Sequence, residues 1–449
     1  MKDLDACIRV LVAGSALALL VAARPAWAQQ QPYNVAVQAT ELSRIFTELY
    51  GPEGLVVNSS TPLPGGATHS GHFNSGFESE FSQFGTALTS QIVSLPLPPP
   101  ASGFTYQFDP ALGVFSRTTT SFGPILSERA ETIGARRIST GFAYQRLTFD
   151  SIEGVDLDAV PAVFTHDSAE LRGGREDVVT TLNTISAKVS RSAVFVSYGV
   201  TNRLDMSVAV PAITVDLVVS SDATIRRIGT TNPETHFFRE VDDSVGTRRL
   251  FTAFGRASGP GDVTVRLKQT VRRGATQGTA VGVDLRLPTG DEKNLLGTGA
   301  PGVQPFAAWS ATYGVVSPHL NAGYQWNGSS ILGGNPDTGL SQDLPDLGVY
   351  SAGAVVEIHP RVTAAVDVLG RYIIDSPRVR RQDFRALDGT SVFPNITFTS
   401  GSFNELSGAV GLKVNVAGRL LVDLNLLVRL NSVGLRDKIS PLVGIEYAF

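Results

Sequence analysis

The chain ends in the stretch ISPLVGIEYAF, residues 439–449, and its two alternating phases differ in character. One phase is apolar and aromatic throughout and the other is mixed: Ile439, Pro441, Val443, Ile445, Tyr447 and Phe449 against Ser440, Leu442, Gly444, Glu446 and Ala448. A period of two residues indicates a β-strand with two unlike faces. In an outer-membrane β-barrel the apolar face contacts lipid and the aromatic residues lie at the membrane interface. The alternative is the last strand of a secreted β-sandwich, although the ends of soluble chains usually fray into water.

The same alternation recurs through residues 137–449. We predict twelve strands, near residues 138–149, 182–200, 204–219, 261–272, 278–287, 303–313, 318–327, 347–358, 362–374, 403–416, 420–431 and 439–449. The links between them are short and long by turns, as the periplasmic turns and extracellular loops of an outer-membrane barrel are. A sandwich with Greek-key links has no reason to keep this rhythm. The sequence therefore predicts an all-β fold, a transmembrane antiparallel β-barrel.

Two short links allow the strand register to be predicted, and a slip of one residue would exchange the lipid-facing and lumen-facing side chains. A three-residue turn at 417–419 would pair Val416 with Leu420 and set Lys413 opposite Asp423 on the inner face. A three-residue turn at 359–361 would likewise pair Ile358 with Val362, and Glu357 with Thr363. Both hairpins favour the same assignment of faces.

Residues 29–136 have a different pattern. Leu42, Ile45, Phe46 and Leu49 have helical spacing within residues 36–50, and Gly51-Pro52 ends that pattern. A second apolar stripe with helical spacing consists of Phe77, Phe81, Phe84, Leu88, Ile92 and Leu95. We expect a helical plug inside the lumen, with a periplasmic cap as the alternative. Residues 104–118 predict a short hairpin, which belongs to the plug or raises the strand count to fourteen.

Residues 1–28 have the pattern of a secretory signal peptide. Lys2 and Arg9 precede an apolar run over residues 10–23, and Ala26-Trp27-Ala28 is a small-residue cleavage site. The run is shorter than the roughly 20 residues that a transmembrane helix needs. We expect export by a cleaved signal peptide to the outer membrane, with residues 29–136 as plug and residues 137–449 as barrel.

Composition excludes several classes of function. The 37 basic and 41 acidic residues give a formal charge of −4, without the basic surface that nucleic acid requires. The only cysteine, Cys7, lies in the predicted signal peptide, so the mature chain would have no disulfide and no cysteine-ligated zinc. We therefore predict no nucleic-acid partner.

Motifs for catalysis or cofactor binding are weak. Gly297, Gly299 and Gly302 form a G-x-G-x-x-G string, but Pro301 and Pro305 forbid the helix that dinucleotide binding needs. None of the six histidines lies in an H-E-x-x-H motif, and no G-x-S-x-G elbow occurs. His69 and His72 near Glu78 and Glu80 are read as a solvated loop, with a metal site as the alternative. We predict no metal, no cofactor and no enzymatic activity, while a catalytic triad assembled across the lumen remains open.

The charged residues of the predicted inner face are the candidate functional residues. They are expected to line the channel: Arg266, Lys268, Asp284, Arg286, Asp367, Arg371, Lys413, Asp423, Arg429 and Glu446. Opposite charges on neighbouring strands could simply neutralise one another. Alternatively, they line a path of mixed field, which would have little ionic selectivity.

The chain also resembles a known family. The residues that carry the resemblance are LRLPTGDE (285–292), LLGTG (295–299), SPHLNAGY (317–324) and the terminal Phe449. Across residues 190–449 the chain is similar to outer-membrane transporters associated with the meta-pathway of phenol degradation. That resemblance implies a barrel that takes up aromatic or other hydrophobic compounds, and it supplies no functional residues. Residues 29–100 are similar in placement to the hatch of long-chain fatty acid transporters.

The predicted function is passive uptake of a small apolar or aromatic compound through a monomeric channel in outer-membrane lipid. Twelve strands lie between the filled eight-stranded barrel and the open sixteen-stranded porin, so the lumen should be narrow. Two alternatives are a barrel enzyme that hydrolyses lipid or peptide and a structural or adhesive barrel. Hydrolysis by the purified protein would indicate the first, and partner binding by the long loops without conductance the second.

Overall fold

A computed structural model describes residues 34–449 apart from residues 52, 63–64, 67–70, 77–102, 110–113, 118, 120, 167–176, 230 and 240–241. The predicted signal peptide and the second predicted helix, residues 77–95, lie outside this part of the chain, as do His69, Glu78 and Glu80. No helix in the described part is long and apolar enough to cross a membrane.

The main sheet is a closed antiparallel barrel of twelve strands, as predicted. In chain order these are β1 (Ile138–Ile152), β2 (Val178–Gly199), β3 (Leu204–Arg226), β4 (Arg248–Pro260 and Val263–Arg273), β5 (Gln277–Leu287), β6 (Gly302–Ala311), β7 (Val316–Asn327), β8 (Leu347–His359), β9 (Val362–Arg381), β10 (Ile396–Ala417), β11 (Leu420–Arg429) and β12 (Ile439–Ala448). Each strand pairs with the next, and β12 closes the ring by pairing with β1. The predicted C-terminal stretch is thus the closing strand.

Smaller elements lie outside the ring. In the described part of the chain they are the strands Asn34–Gln38, Leu55–Val57, Gly71–Phe73, Tyr106–Asp109, Val114–Arg117, Val155–Asp156, Val160–Thr165, Phe238–Arg239, Val245–Gly246, Ser329–Asn335, Leu340–Asp343, Phe384–Arg385, Val392–Phe393 and Leu435–Asp437, the 3₁₀ helix Leu42–Arg44 and the α-helix α1 (Ile45–Leu49). The predicted hairpin is present as the pair Tyr106–Asp109 and Val114–Arg117, which forms its own two-stranded sheet. It therefore adds no strands to the barrel.

The two faces of the wall are those the alternation predicts. Leu424 and Leu426 are 54% and 47% exposed, whereas Asp423 and Asn425 between and beside them are buried. Exposed aromatic side chains lie near the short turns and also further along the strands: Tyr198, Tyr313, Tyr447 and Phe449, and Trp326, Tyr350 and Tyr372. Apolar walls between aromatic girdles are typical of proteins that cross the outer membrane as barrels, with the short turns on the periplasmic side.

Both predicted three-residue turns are wrong in detail. In the structure Ala417, not Val416, pairs with Leu420, and a one-residue shift lies between Asn415 and Ala417. The same shift occurs before the other turn, where His359 rather than Ile358 pairs with Val362. Each hairpin has a two-residue turn next to a bulge, and the bulge adds one unpaired residue to the strand before the turn. Beyond the bulge the pairing is therefore the same as a three-residue turn would give. Lys413 therefore still faces Asp423, and Glu357 faces Thr363.

Strands β2 and β3 are much longer than the membrane requires. They have 22 and 23 residues, whereas a tilted transmembrane strand needs about 9–11. The part of β4 formed by Arg248–Pro260 pairs with this extension of β3. The predicted strands 204–219 and 261–272 leave residues 220–260 as a link, which is wrong for residues 220–226 and for Arg248–Pro260.

The first predicted helix is largely replaced by other structure. Asn34–Gln38 is a strand that pairs in parallel with Leu250–Phe254 of β4, and only Ile45–Leu49 is α-helical. Pairing with the free edge of β4 outweighs the weak helical propensity of these residues. Leu42, Ile45, Phe46 and Leu49 are nevertheless all buried.

These residues join the largest apolar cluster of the molecule, which we call the extracellular core. It also contains residues from the extended ends of the wall strands, among them Val215, Leu217, Val219, Phe251 and Ala253. The N-terminal region thus packs across the end of the barrel that carries the long loops.

Residues 121–134, which we call the inner segment, lie within the barrel. Their hydrogen bonds go to inward-facing side chains of five strands: Phe122 N to Thr363, Ser127 to Ser351, Glu128 N to Asn321, Ala130 N to Ser310 and Ile133 N to Asp205. The inner segment has no regular secondary structure, and its backbone groups are satisfied by the wall instead.

Candidate lumenal site

A cavity of about 280 Å³, which we call the lumenal cavity, lies between the inner segment and the extracellular core. Leu126 and Glu128 of the inner segment line it from one end, and Leu147, Phe149 and Leu435 of the extracellular core line it as well. The cavity is therefore enclosed laterally by the barrel wall and bounded along the axis by two parts of the same chain.

An ion-pair network attaches the inner segment to the wall. Glu128 accepts hydrogen bonds from Lys268 Nζ at 2.7 Å and Arg266 Nη1 at 2.6 Å. Arg266 also donates two hydrogen bonds to Asp284, each 2.6 Å long, and its guanidinium lies 4.9 Å from the ring centre of Phe306. Because these groups are buried, their interactions are stronger than equivalent pairs in water.

Three arginines form a layer around the lumenal cavity. Arg286, Arg371 and Arg429 each occupy the tenth position of their strand counted from the short turn, in Gln277–Leu287, Val362–Arg381 and Leu420–Arg429. Strands that start at the same end of the barrel place residues with the same count from the turn at similar heights. These guanidinium groups therefore lie at a common level in the lumen.

Each arginine of the layer has different partners. Arg371 pairs with Glu405, which Arg436 approaches to 3.7 Å. Arg429 pairs with Asp150 at 2.5 Å, and Arg286 donates to Asn327 Oδ1 at 2.7 Å.

The remaining lining is mostly apolar or uncharged. Leu147 and Phe149 of β1, Leu427 of β11 and Leu435 lie together on one side of the lumenal cavity. Phe306, Val349 and Leu369 lie on the other strands of the ring. The cavity can thus contact an apolar body and a polar group at the same time.

The structure divides the ten predicted channel-lining residues into two groups. Arg266, Asp284, Arg286, Arg371 and Arg429 line the lumenal cavity. Lys268, Asp367, Lys413, Asp423 and Glu446 face the inner segment or the residues before it instead. Lys413 Nζ donates to the Pro124 carbonyl at 3.2 Å, Asp367 accepts from Ser127 at 2.9 Å, and Glu446 accepts from Gly103 N at 2.7 Å.

Four charged residues of the cavity lining were not predicted: Glu128, Glu405, Arg436 and Asp437. Glu405 lies on the inner phase of β10 eight residues before Lys413, so extending the alternation would have found it. Arg436 and Asp437 lie in the short strand Leu435–Asp437 after a loop, and Glu128 lies in a segment without periodicity. For these three the sequence pattern contains no signal.

A serine of the inner segment meets an aspartate and a histidine of the wall, which tests whether a catalytic triad is present. Ser127 Oγ and His319 Nε2 both bond to the same atom, Asp367 Oδ1, at 2.9 and 2.5 Å. A triad requires the histidine between the nucleophile and the acid. Here the aspartate is in the middle and all three side chains are buried. The cluster therefore does not have the order of groups that a catalytic triad requires.

At the extracellular end, Asp177 ties two loops together. It accepts hydrogen bonds from Ile228 N at 2.9 Å, Gly229 N at 3.2 Å and His236 Nδ1 at 2.9 Å. Burial raises the pKa of the Asp177 carboxyl, but the hydrogen bonds from His236 and the two backbone amides outweigh it, and the net pKa is lowered. The ionised carboxylate of Asp177 therefore stabilises the contact between these two loops.

Fold and site together define an outer-membrane β-barrel with an internal segment and a lumenal cavity. Residues 183–344 match the family model described as "Putative MetA-pathway of phenol degradation", which confirms the resemblance inferred from the residues. No curated protein matches.

Several solved structures are similar to the barrel. The COG4313 outer membrane channel from Pseudomonas putida F1 is 14% identical, with a TM-score of 0.41 over 72% of this chain and 99% of that chain. The NanC porin is 9% identical, with a TM-score of 0.33 over 68% and 98%. The P. putida toluene transporter TodX is 8% identical, with a TM-score of 0.29 over 70% and 90%. At such identities the likeness is one of fold.

Proposed function

We propose that this protein is an outer-membrane channel for passive uptake of a small apolar or aromatic compound. The observation that supports this most directly is the lumenal cavity of about 280 Å³, with its apolar side formed by Leu147, Phe149, Leu427 and Leu435. For comparison, a dry apolar cavity of about 150 Å³ is large enough to bind benzene. The family described above and the toluene transporters among the similar structures agree with this substrate class.

We further propose that residues 29–136 are the plug of this channel and that residues 1–28 are removed on export. The inner segment supports the first point, because it bonds to five strands and lies on the periplasmic side of the cavity. A solute that passes from the cavity to the periplasm would have to displace it. No observation favours a hydrolase over a channel, since Ser127 and His319 share one oxygen of Asp367.

A reversible covalent lock tests the proposal. Ser127 Oγ and Ser351 Oγ are 2.9 Å apart, one on the inner segment and one on β8, so cysteines at both positions are placed to form a disulfide. Cys7 is the only native cysteine, so no other thiol competes in the chain after residue 28. The readout is the initial rate of uptake of radiolabelled toluene by Gram-negative cells that express the variant.

We expect the oxidised double variant to lose uptake above the empty-vector rate and to regain it on reduction. The single variants Ser127→Cys and Ser351→Cys serve as matched controls and should behave like the wild type under both conditions. Uptake equal to the empty-vector rate in the wild type would overturn the channel. Equal uptake by the oxidised and reduced double variant would overturn the plug.

A further inference from the structure

No carboxylate faces Arg286 directly across the sheet, as is also the case for Arg429, opposite Ser407, and Arg436, opposite Ser151. Arg266 is opposite Asp284, Lys268 is opposite Asp205, Lys413 is opposite Asp423, and Arg371 is opposite Glu405. Arg286 is opposite Thr264 on one neighbouring strand and Gly302 on the other. Cross-strand pairing therefore leaves the charge of this residue uncompensated.

The nearest acid, Asp262, forms a long ion pair with Arg286 but no hydrogen bond. Asp262 Oδ2 is 3.8 Å from Arg286 Nε, which is beyond hydrogen-bonding distance. The oxygens of Asp262 already accept hydrogen bonds from Gly290 N at 3.0 Å, Thr298 N at 2.8 Å and Thr298 Oγ1 at 2.5 Å. Arg286 Nε has no hydrogen-bond partner in the described part of the chain, although the residue is only 8% exposed.

The cavity lining contains five arginines and four carboxylates: Arg266, Arg286, Arg371, Arg429 and Arg436, and Glu128, Asp284, Glu405 and Asp437. Two acids outside the lining also pair with these arginines, Asp150 with Arg429 and Asp262 with Arg286. A buried cation without a hydrogen-bonded acid is costly, and an anionic ligand that reaches Arg286 would offset that cost.

The backbone beside Arg286 is shaped for its guanidinium. A side chain at Gly302 would place its Cβ 3.0 Å from both Arg286 Cζ and Nη2. A larger residue at this position would therefore displace the guanidinium by a few tenths of an ångström.

The apolar part of the lining faces this arginine across the lumen. Leu427 on β11 is six strands away from β5 in a ring of twelve, which is the opposite side of the barrel. Leu435, Leu147 and Phe149 also line the cavity, and Arg429 lies two residues beyond Leu427 on the same face of β11. A ligand with an apolar body and one anionic end would satisfy both sides at once.

We propose that the lumenal cavity is a binding site for a small aromatic or aliphatic monocarboxylate, with the carboxylate on Arg286 and the apolar body toward Leu427 and Leu147. This inference rests on the proposed channel and names its substrate class more narrowly. A hydrogen bond from arginine to a carboxylate is charge-assisted, so it discriminates against a neutral ligand of the same shape.

The test compares benzoate with benzamide, which has nearly the same shape and no charge, by isothermal titration of the purified protein in detergent. In the wild type we expect benzoate to bind at least about tenfold more tightly than benzamide, which is the range of a charge-assisted hydrogen bond. Arg286→Gln should remove that preference and leave benzamide affinity unchanged. Gly302→Ala, which keeps the charge but displaces it, should reduce benzoate affinity in the same direction.

Arg385→Gln is the matched control, because Arg385 is exposed on an extracellular loop and should leave both affinities unchanged. Folding of every variant is checked by the shift in gel mobility on heating. Equal affinity for benzoate and benzamide in the wild type, or no benzoate binding, would overturn the inference. Inorganic phosphate binding as tightly as benzoate would also overturn it, since the apolar wall would then contribute nothing. Toluene uptake by cells is measured separately, so the channel can stand if the carboxylate site fails.

Discussion

Replacing Glu128 by glutamine should loosen the inner segment without unfolding the barrel. The carboxylate bonds to both Lys268 and Arg266, and its side chain is 7% exposed. Removing one partner from a buried ion pair costs about 3–5 kcal/mol when the other charge is left alone. Arg266 keeps Asp284, and Lys268 keeps Asp205 at 4.0 Å and two carbonyl oxygens, so the cost should be nearer about 2–3 kcal/mol.

That free energy corresponds to an increase of about 30- to 150-fold in the fraction of molecules with the inner segment detached. Hydrogen exchange of the purified protein, followed by mass spectrometry, measures this fraction directly. We expect faster exchange in residues 121–134 and unchanged exchange in the wall strands. Toluene uptake by cells should rise with it.

Glu131→Gln is the matched control for this variant. Glu131 belongs to the same segment but accepts a single side-chain hydrogen bond, from Ser310 Oγ at 3.0 Å. An amide oxygen can still accept that bond, so exchange should change little. If Glu128→Gln exchanged like the wild type, or if exchange rose equally in the barrel strands, the ion pairs would not be what retains the segment.

Two further predictions concern the wall and the extracellular end. Leu424→Arg should lower the free energy of unfolding in lipid vesicles by about 2–4 kcal/mol, because Leu424 faces lipid in mid-strand. Leu430→Arg, near the membrane interface, should lower it by only about 0–1 kcal/mol. Urea titrations measure both values, and equal values would contradict the assigned depths. Asp177 has a lowered folded pKa, so its stabilisation is fully present above its unfolded pKa of about 3.9 and is lost as pH falls through the folded value. Exchange of the Ile228 and Gly229 amides should therefore rise in strong acid in the wild type. In Asp177→Ala, which removes the acceptor, it should already be fast at pH 7, and a wild-type profile that is flat down to pH 2 would refute the role of the carboxylate.

Alternation alone was sufficient to predict the barrel because the membrane imposes it. Leu424 faces lipid and Asp423 faces the interior, because a charged side chain is costly in hydrocarbon. The apolar side chains of each wall strand therefore show which of its faces is turned to lipid. The bulges at Val416 and Ile358 could not be predicted this way, because they depend on the backbone of the turn. The upper part of β4, Arg248–Pro260, lies beyond the stretch that lipid patterns, and its partners are other strands of this chain.

The N-terminal region was harder to predict because its environment is the protein itself. Leu42 and Ile45 have the burial that helical spacing implied, but the strand Asn34–Gln38 forms because an edge of β4 is available. The inner segment has neither the apolar spacing of a helix nor the alternation of a strand. Its position follows from partners such as Asn321 and Asp205, which lie on strands far away in the sequence. Only the folded barrel brings those partners together.

Mutual neutralisation of the lumenal charges can be examined residue by residue once the register is known. It holds for Arg266, Lys268 and Arg371, each of which has a carboxylate directly across the sheet. It fails at Arg286, whose neighbours across the sheet are a hydroxyl residue and a glycine, and at Arg429, which faces Ser407. Charges that cancel within the wall exert little net field on a solute, so arginines without a carboxylate directly across the sheet contribute most to the field that a solute meets. Of these two, Arg429 is hydrogen-bonded to Asp150, whereas the acid nearest Arg286 is 3.8 Å away, which is why the proposed carboxylate site is placed on Arg286.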